Sequence, residues 1–400
     1  MDPHTRHRRP DSAGAPPDSP VRRRAYLDVL KIAVIAGVIA GHAWAGYTDI
    51  GGWAYSEIRE TSLSPVAETI AEALLGPFGL LAMGLLFLVS GLLTVSSLER
   101  RGAGRFALDR SVRLGVPLAV FTFLLWPPVR AGMDRLAGRP ITPWWMPDSV
   151  HLWFLLVLVV FSIGAAVWWR VSRRRRIPGT PGRIVPAPER GAPAPANSGL
   201  TLGRIGLLAA GIAAGSFAFR LWWPLGSTGP FDLHMCQWAQ FVALFGLGVA
   251  AARRGWLDPV PDELGRRCGR AAVVGVLAIG VIAVIAALSG VPTADFLGGP
   301  HPASLLVAAA EGLLAATVPI WLLGWAQRRL DGVRGAEPVA RTAYAAFLLQ
   351  GHVLVGLAVL LRPFDLPAEV KAALLSVVGV AVCFGLGSLL TRHTPLGRIL

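Results

Sequence analysis

Two ionisable side chains interrupt an apolar run near the start of the chain. The segment LKIAVIAGVIAGHAWAG, residues 30 to 46, carries Lys31 at one end and His42 near the other, with Asp28 just ahead of it. Eleven residues are close to three helical turns, so a helix puts Lys31 and His42 on nearly one face, about 16 Å apart along its axis. Asp28, three residues before Lys31, shares that face and can pair with the ammonium group; an interfacial pair reaching back to water is the alternative. A histidine in an apolar span faces the bundle interior or a water-filled cavity, where an uncharged imidazole can take a proton as a general base. The plainer reading of His42 is an interhelical hydrogen bond.

Other polar groups sit in or beside apolar runs. His151 opens one of them, placed to orient the base or an acceptor, or to pack at an interface. Glu311 lies inside another, where a lone carboxylate is expensive, so a polar partner within the bundle is expected, either a histidine it orients or a group on another helix. His234 and His301 lie near the ends of runs at a spacing that matches no metal-ligand pattern. Cys236, Cys268 and Cys383 fit no metal or redox spacing. No metal site is expected.

These groups must be positioned by membrane-spanning helices. The chain has 400 residues, of which 54% are hydrophobic and only 16% charged, with a mean hydropathy of +0.55. A water-soluble protein carries about a quarter charged residues, so the composition points to an all-α, polytopic membrane helical bundle. Runs long enough to cross a bilayer, about 20 residues each, lie near 27–46, 70–96, 112–129, 150–169, 203–222, 234–252, 271–290, 303–326, 340–361 and 368–390. The third is short, and Gly76, Pro77 and Gly79 interrupt the second. A net charge of +14 invites a nucleic-acid reading, but the arginines are spread between apolar runs instead of forming one patch, which excludes it.

Ten spans divide the basic residues unevenly. With the N-terminus inside, 31 of the 38 Lys and Arg fall on the inner side and 7 on the outer, as expected when cytoplasmic loops hold the positive charge. Both termini are therefore expected in the cytoplasm and the protein in the inner (plasma) membrane. Residues 1–24 read as a disordered cytoplasmic tail and 173–200, rich in Pro, Ala and Gly, as a flexible linker within a membrane domain of residues 25–400. The RRR ahead of an apolar run and Ala43-Trp44-Ala45 also resemble a cleavable signal peptide, though the long proline-rich leader is unusual for one. Trp144, Trp145, Trp222 and Trp223 fall at outer edges and read as an aromatic belt in contact with membrane lipids.

Several segments, in order, resemble the acyltransferase-3 family of bacterial membrane acyltransferases. YLDVLKIAVIAGVIAGHAW is similar to its first span, a basic residue followed after ten residues by histidine, with Lys31 where arginine is commoner. FLVSGLL at 87–93 resembles its second span, Arg110-Ser-Val-Arg113 its arginine pair, HLWFL at 151–155 its fourth span and FVALFGLGVAAARRGWL at 241–257 its glycine-bearing sixth. The resemblance implies transfer of an acyl group, usually acetyl from acetyl-CoA or another acyl-CoA used as a substrate and not held permanently. The acceptor it implies is a hydroxyl on a carbohydrate or lipid of the cell envelope. It makes His42 the catalytic histidine and assigns Lys31, Arg110 and Arg113 to the donor. The topology independently sets Arg110 and Arg113 at the inner edge, where phosphates would arrive and where planar guanidinium donors suit them.

The likeness weakens in TAYAAFLLQGHVLV, 342–355, where Gln350 follows the leucine pair in place of a histidine and His352 is displaced by two residues, about 200° around a helix. No role transfers to His352. The chain ends soon after the tenth span, which implies a self-contained ten-helix enzyme. The rival function is a secondary transporter, although Gly76-Pro77 and Pro319 are not related by an evident repeat. An inactive relative that only binds acyl-CoA is a third reading.

Overall fold

In a bilayer every backbone polar group needs an internal partner, and a helix supplies its own. The computed structural model follows that rule: it describes residues 25–49, 53–174, 199–227, 229 and 233–394, and among the described residues all regular structure is helical. The expected tail, 1–24, and most of the expected linker, 175–198, lie outside the described residues.

Among the described residues, ten helices are long and apolar enough to span. They are α1 (Ala25–Ala45), α2 (Pro65–Arg101), α3 (Ala103–Leu136), α4 (Trp153–Arg174), α5 (Leu202–Arg220), α6 (Trp238–Arg254), α7 (Asp262–Ser289), α8 (Pro302–Leu330), α9 (Ala336–Leu361) and α10 (Ala368–His393). All ten expected spans are present, but two differ in extent. Pro77 does not interrupt α2, which runs unbroken for 37 residues. The third span is not short: it covers 34 residues because two widened turns, at Ser111–Gly115 and Phe121–Leu125, carry the helix past Pro117 and on to Pro127 and Pro128.

Contacts between helix ends sort them onto two faces. On one, Gln327 of α8 donates to the Tyr26 hydroxyl of α1 at 3.4 Å, Arg328 meets Asp262 of α7 at 3.0 Å, and the Tyr344 hydroxyl of α9 donates to the Arg113 carbonyl of α3 at 2.8 Å. On the other, Glu57 takes Arg130 and Arg139, and Lys371 of α10 donates to Glu60 at 2.7 Å. The two ends of α3 thus lie on opposite faces.

Small residues let the helices approach. A Cβ on Gly248 of α6 would strike the Leu88 carbonyl and, at 2.8 Å, the Leu92 nitrogen of α2; one on Gly91 would meet Cα of Gly248 at 3.1 Å. The two backbones therefore touch, and the segments FLVSGLL and FVALFGLG pack against each other. Gly312 of α8 lies as close to Ala209 and Ala213 of α5. Helices α9 and α10 enclose α1 from the other side. Beyond its first turn, the valines and leucines of α7, such as Val276 and Leu277, stay exposed and form an apolar surface suited to lipid.

Replacing Gly248 with leucine should force α2 from α6 and destabilise the bundle by roughly 1–3 kcal/mol or more, the usual cost of overpacking. Gly246→Ala, where a Cβ meets nothing within 4 Å, should be neutral. Thermal unfolding in detergent compares the two; equal melting temperatures would contradict the backbone contact.

Candidate active site

His42 occupies the last turn of α1. Its ring lies flat on Trp53, with centroids 4.1 Å apart and planes inclined by 7°. Its Nδ1 lies 3.1 Å from the Gln350 amide oxygen of α9. With the amide oxygen turned to the ring, Nδ1 carries the hydrogen and Nε2 is left with a lone pair. Gln350 is fully buried, and its amide nitrogen has no partner among the described residues.

A second imidazole stands beside the first, with 6.3 Å between the His42 and His151 centroids. His151 precedes α4 and is 4% exposed. Its Nε2–H donates to the Phe347 carbonyl of α9 at 2.9 Å, so the Nδ1 lone pair is the free one, and it is buried without a partner among the described residues. The ring reaches that carbonyl because position 351 is glycine: a Cβ there would lie 3.0 Å from His151 Cε1. Val150, just ahead of it, has φ of 49°, a strained value for a β-branched residue. Its N–H is held by Asp148 at 2.9 Å, and Asp148 also accepts from Trp126 Nε1 at 3.2 Å. Phe121 and Phe347 present edges to His151 at 5.2 and 5.3 Å.

The two residues that differ from the family pattern face opposite ways, as a two-residue shift demands. Gln350 meets His42, whereas His352 Nε2–H donates to the Leu125 carbonyl of α3 at 3.0 Å. Leu125 ends one widened turn of α3, and Arg113, bonded through its carbonyl to Tyr344, lies in the other. Such turns loosen the normal backbone ladder, and α9 supplies a side-chain donor at each.

Arg110 and Arg113 lie one turn apart near the start of α3. The Arg110 guanidinium stands over the Phe106 ring at 5.6 Å, and Arg113 Nε donates to Asp109 at 3.1 Å, a carboxylate shared with Arg101. Asp28 and Lys31 are half-buried in the first two turns of α1. Glu311 does not orient a histidine through its described contacts. Its partners are on α5, where the Ser216 hydroxyl donates to it at 3.2 Å and the Arg220 guanidinium forms an ion pair with it. His234 lies against Trp153, with centroids 4.1 Å apart, and His301 faces Asp295 at 3.6 Å. Trp144, Trp145 and Trp222 are exposed.

Trp53 comes from the segment between α1 and α2, and its placement depends on ion pairs at both ends. Glu57 is gripped by Arg130 and Arg139 at 3.3 and 2.9 Å. Glu60 accepts from Lys371 at 2.7 Å and from the Tyr55 hydroxyl at 2.5 Å. Burial alone would raise the Glu60 carboxyl, but the Lys371 ammonium and the Tyr55 hydroxyl outweigh it and hold it below its ordinary value of 4.5.

A multi-pass helical bundle that turns two imidazoles inward beneath a clamped tryptophan is an integral-membrane protein with a formed polar centre. The chain belongs to the acyltransferase-3 family, whose model, described as an acyltransferase domain, matches residues 24–392. No curated protein and no solved structure matches the chain. It is thus a membrane acyltransferase.

A depressed carboxyl stabilises the fold above its unfolded value and ceases to as pH falls through its folded value. Glu60→Gln should therefore melt below the wild type by a margin that is full above pH 4.5 and closes in more acid buffer. A margin that stays constant from about pH 7 to about pH 3 would show that the Glu60 charge has no part in the clamp.

Proposed function

We propose that the protein is an O-acyltransferase of the inner membrane that moves an acyl group, acetyl in the simplest case, from cytoplasmic acyl-CoA to a hydroxyl. The hydroxyl belongs to an envelope glycan, a glycolipid or a glycosylated metabolite. The observation that carries the reading is the hydrogen bond from His42 Nδ1 to Gln350. It selects the tautomer whose Nε2 can act as a base.

In this mechanism Nε2 of His42 takes the proton of the acceptor hydroxyl while that oxygen attacks the thioester carbonyl. The tetrahedral intermediate carries its charge on the former carbonyl oxygen. The unpartnered Gln350 amide nitrogen beside the imidazole is a suitable donor to it. Collapse breaks the carbon–sulfur bond, and the imidazolium returns its proton to the departing coenzyme A thiolate. The ester and free coenzyme A are the products.

Arg110, Arg113 and Lys31 hold the anionic end of the donor. Two features support this division of labour. The arginine excess lies on the side to which the start of α3 belongs. Tyr344, which bonds Arg113, and Gln350, which bonds His42, are six residues apart on α9, about 9 Å along its axis. A donor anchored at α3 thus has one helix to follow toward the base.

His42→Ala should lower transfer by about 10²- to 10⁴-fold, the span of general-base contributions, in protein that elutes and melts like the wild type. The assay is time-dependent loss of acetyl-CoA with appearance of an acylated envelope component by mass spectrometry. Full activity in that variant would end the proposal. Gln350→Leu should lower kcat by about tenfold to a hundredfold through loss of tautomer control and of one donor, with KM for the donor little changed. Arg110→Ala and Arg113→Ala should do the reverse, raising KM for acyl-CoA by about tenfold or more.

A further inference from the structure

Positive charge collects where α2 turns into α3 beside the end of α4. Residues 99–109 and 169–173, which form this corner, hold five arginines and two carboxylates. One of the two, Asp109, is already shared by Arg101 and Arg113. Between the segments lies a cavity of about 440 Å³, within the roughly 300–1,000 Å³ usual for ligand clefts. Gly102, Ala103 and Gly104 form one side of it, and Trp169, Arg170 and Arg173 of α4 the other. Gly102 makes the turn with φ of 74°, which favours glycine. A Cβ on Gly102 or Gly104 would meet nothing within 4 Å, so this side of the cleft is open.

The guanidinium groups of this cleft are within reach of a ligand. Arg170 and Arg173 are both exposed, and among the described residues no carboxylate pairs with either or lines the cleft. Arg173 stands over the Trp169 ring at 4.6 Å, and the adjacent Trp168 takes Arg253 of α6 at 5.2 Å. Tryptophan beside arginine is the composition of the headgroup level of a bilayer. From that level both helices run on with exposed apolar faces. Leu108 and Val112 follow Gly104 at one-turn steps along α3, and Val167 and Ile163 lie one and two turns from Arg170 toward the middle of α4. Because Gly104 and Arg170 face one cleft, these apolar faces border it on its membrane side. Paired guanidinium groups suit phosphate oxygens. A soluble phosphate leaves the apolar faces unused, and the ammonium of a zwitterionic lipid finds no carboxylate in the cleft. An anionic phospholipid matches both the arginines and the apolar faces.

We infer that this cleft is a binding site for an anionic phospholipid, its phosphate held by Arg170 and Arg173 beside Trp169 and its chains lying along Leu108 and Val112 of α3 and Ile163 and Val167 of α4. A soluble phosphate shares the headgroup chemistry but not the chains, and the test separates the two. The lining residues are not those of the His42 cluster, so the site stands or falls apart from the transfer mechanism.

Delipidated full-length protein in detergent is titrated with dioleoyl phosphatidylglycerol or dioleoyl phosphatidylcholine, and bound lipid is counted by native mass spectrometry. The expected result is a first phosphatidylglycerol held about tenfold or more tighter than later copies and than phosphatidylcholine. Replacing both arginines, Arg170→Gln with Arg173→Gln, should lower that affinity about tenfold or more. Arg329→Gln with Arg334→Gln, which removes the same charge from exposed positions at the end of α8 and just after it, should leave it unchanged. Gly104→Trp, which fills the cleft and keeps both arginines, should also weaken binding. Equal loss in the two double variants, or equal affinity for the two lipids, would reduce the effect to general attraction of charge and overturn the inference. Displacement of the lipid by equimolar glycerol 3-phosphate or acetyl-CoA would assign the cleft to a soluble phosphate and overturn it likewise.

Discussion

A carbonyl that leaves the helical ladder in hydrocarbon must find a donor elsewhere, and in this bundle α9 provides the donors for α3. Tyr344 serves Arg113 and His352 serves Leu125, each in a turn too wide for regular helical pairing. The same helix bonds His42 through Gln350 and accepts from His151 through the Phe347 carbonyl. Moving α9 would therefore disturb both imidazoles and the arginine-bearing end of α3 together. The π-like turns of α3 are tolerable only because that neighbour is in register.

Register in turn depends on how closely the backbones pack. Gly91 and Gly248 lock α2 to α6, while the Phe78 ring of α2 occupies the space over Gly37 of α1, where a Cβ would meet it at 2.6 Å. Helix α2 thus belongs to both halves of the molecule, touching the helix that carries His42 and α8, which carries Glu311. Lipid offers no hydrophobic drive for helices to associate, so such close contacts and interhelical hydrogen bonds have to supply the specificity.

The ten spans and their alternation were legible because hydropathy and arginine placement accumulate over many residues. His42 and His151 were legible as polar exceptions within apolar runs. What local pattern does not encode is who meets whom: Gln350 lies 308 residues from His42, and its position marked only a departure from the family's histidine. Trp53 lies outside every span, so no helical period points to it. Arg220 ends the fifth span, a position that reads as an edge charge, and is instead enclosed. The clue was Glu311, a buried carboxylate that required a cation, but span counting alone does not choose among the arginines near it. The extent of α3 was misread for a physical reason, since prolines that would end an ordinary helix are accommodated by turns that borrow donors from α9.

Acyl transfer competes with hydrolysis of the activated donor, and under the proposed mechanism the surroundings of His42 bear on that competition. Trp53, 3% exposed, covers one face of the ring, and Phe121, Trp126 and Phe347 crowd around the neighbouring histidines. Aromatic walls offer water few hydrogen bonds. The ion pairs of Glu57 and Glu60 anchor the segment that carries the tryptophan from outside the cluster, so the covered face of His42 and the charged loops form one mechanical unit. Exclusion of water in such a site also strengthens the hydrogen bond that sets the imidazole tautomer. These salt bridges thereby contribute to how well the imidazole is shielded from solvent.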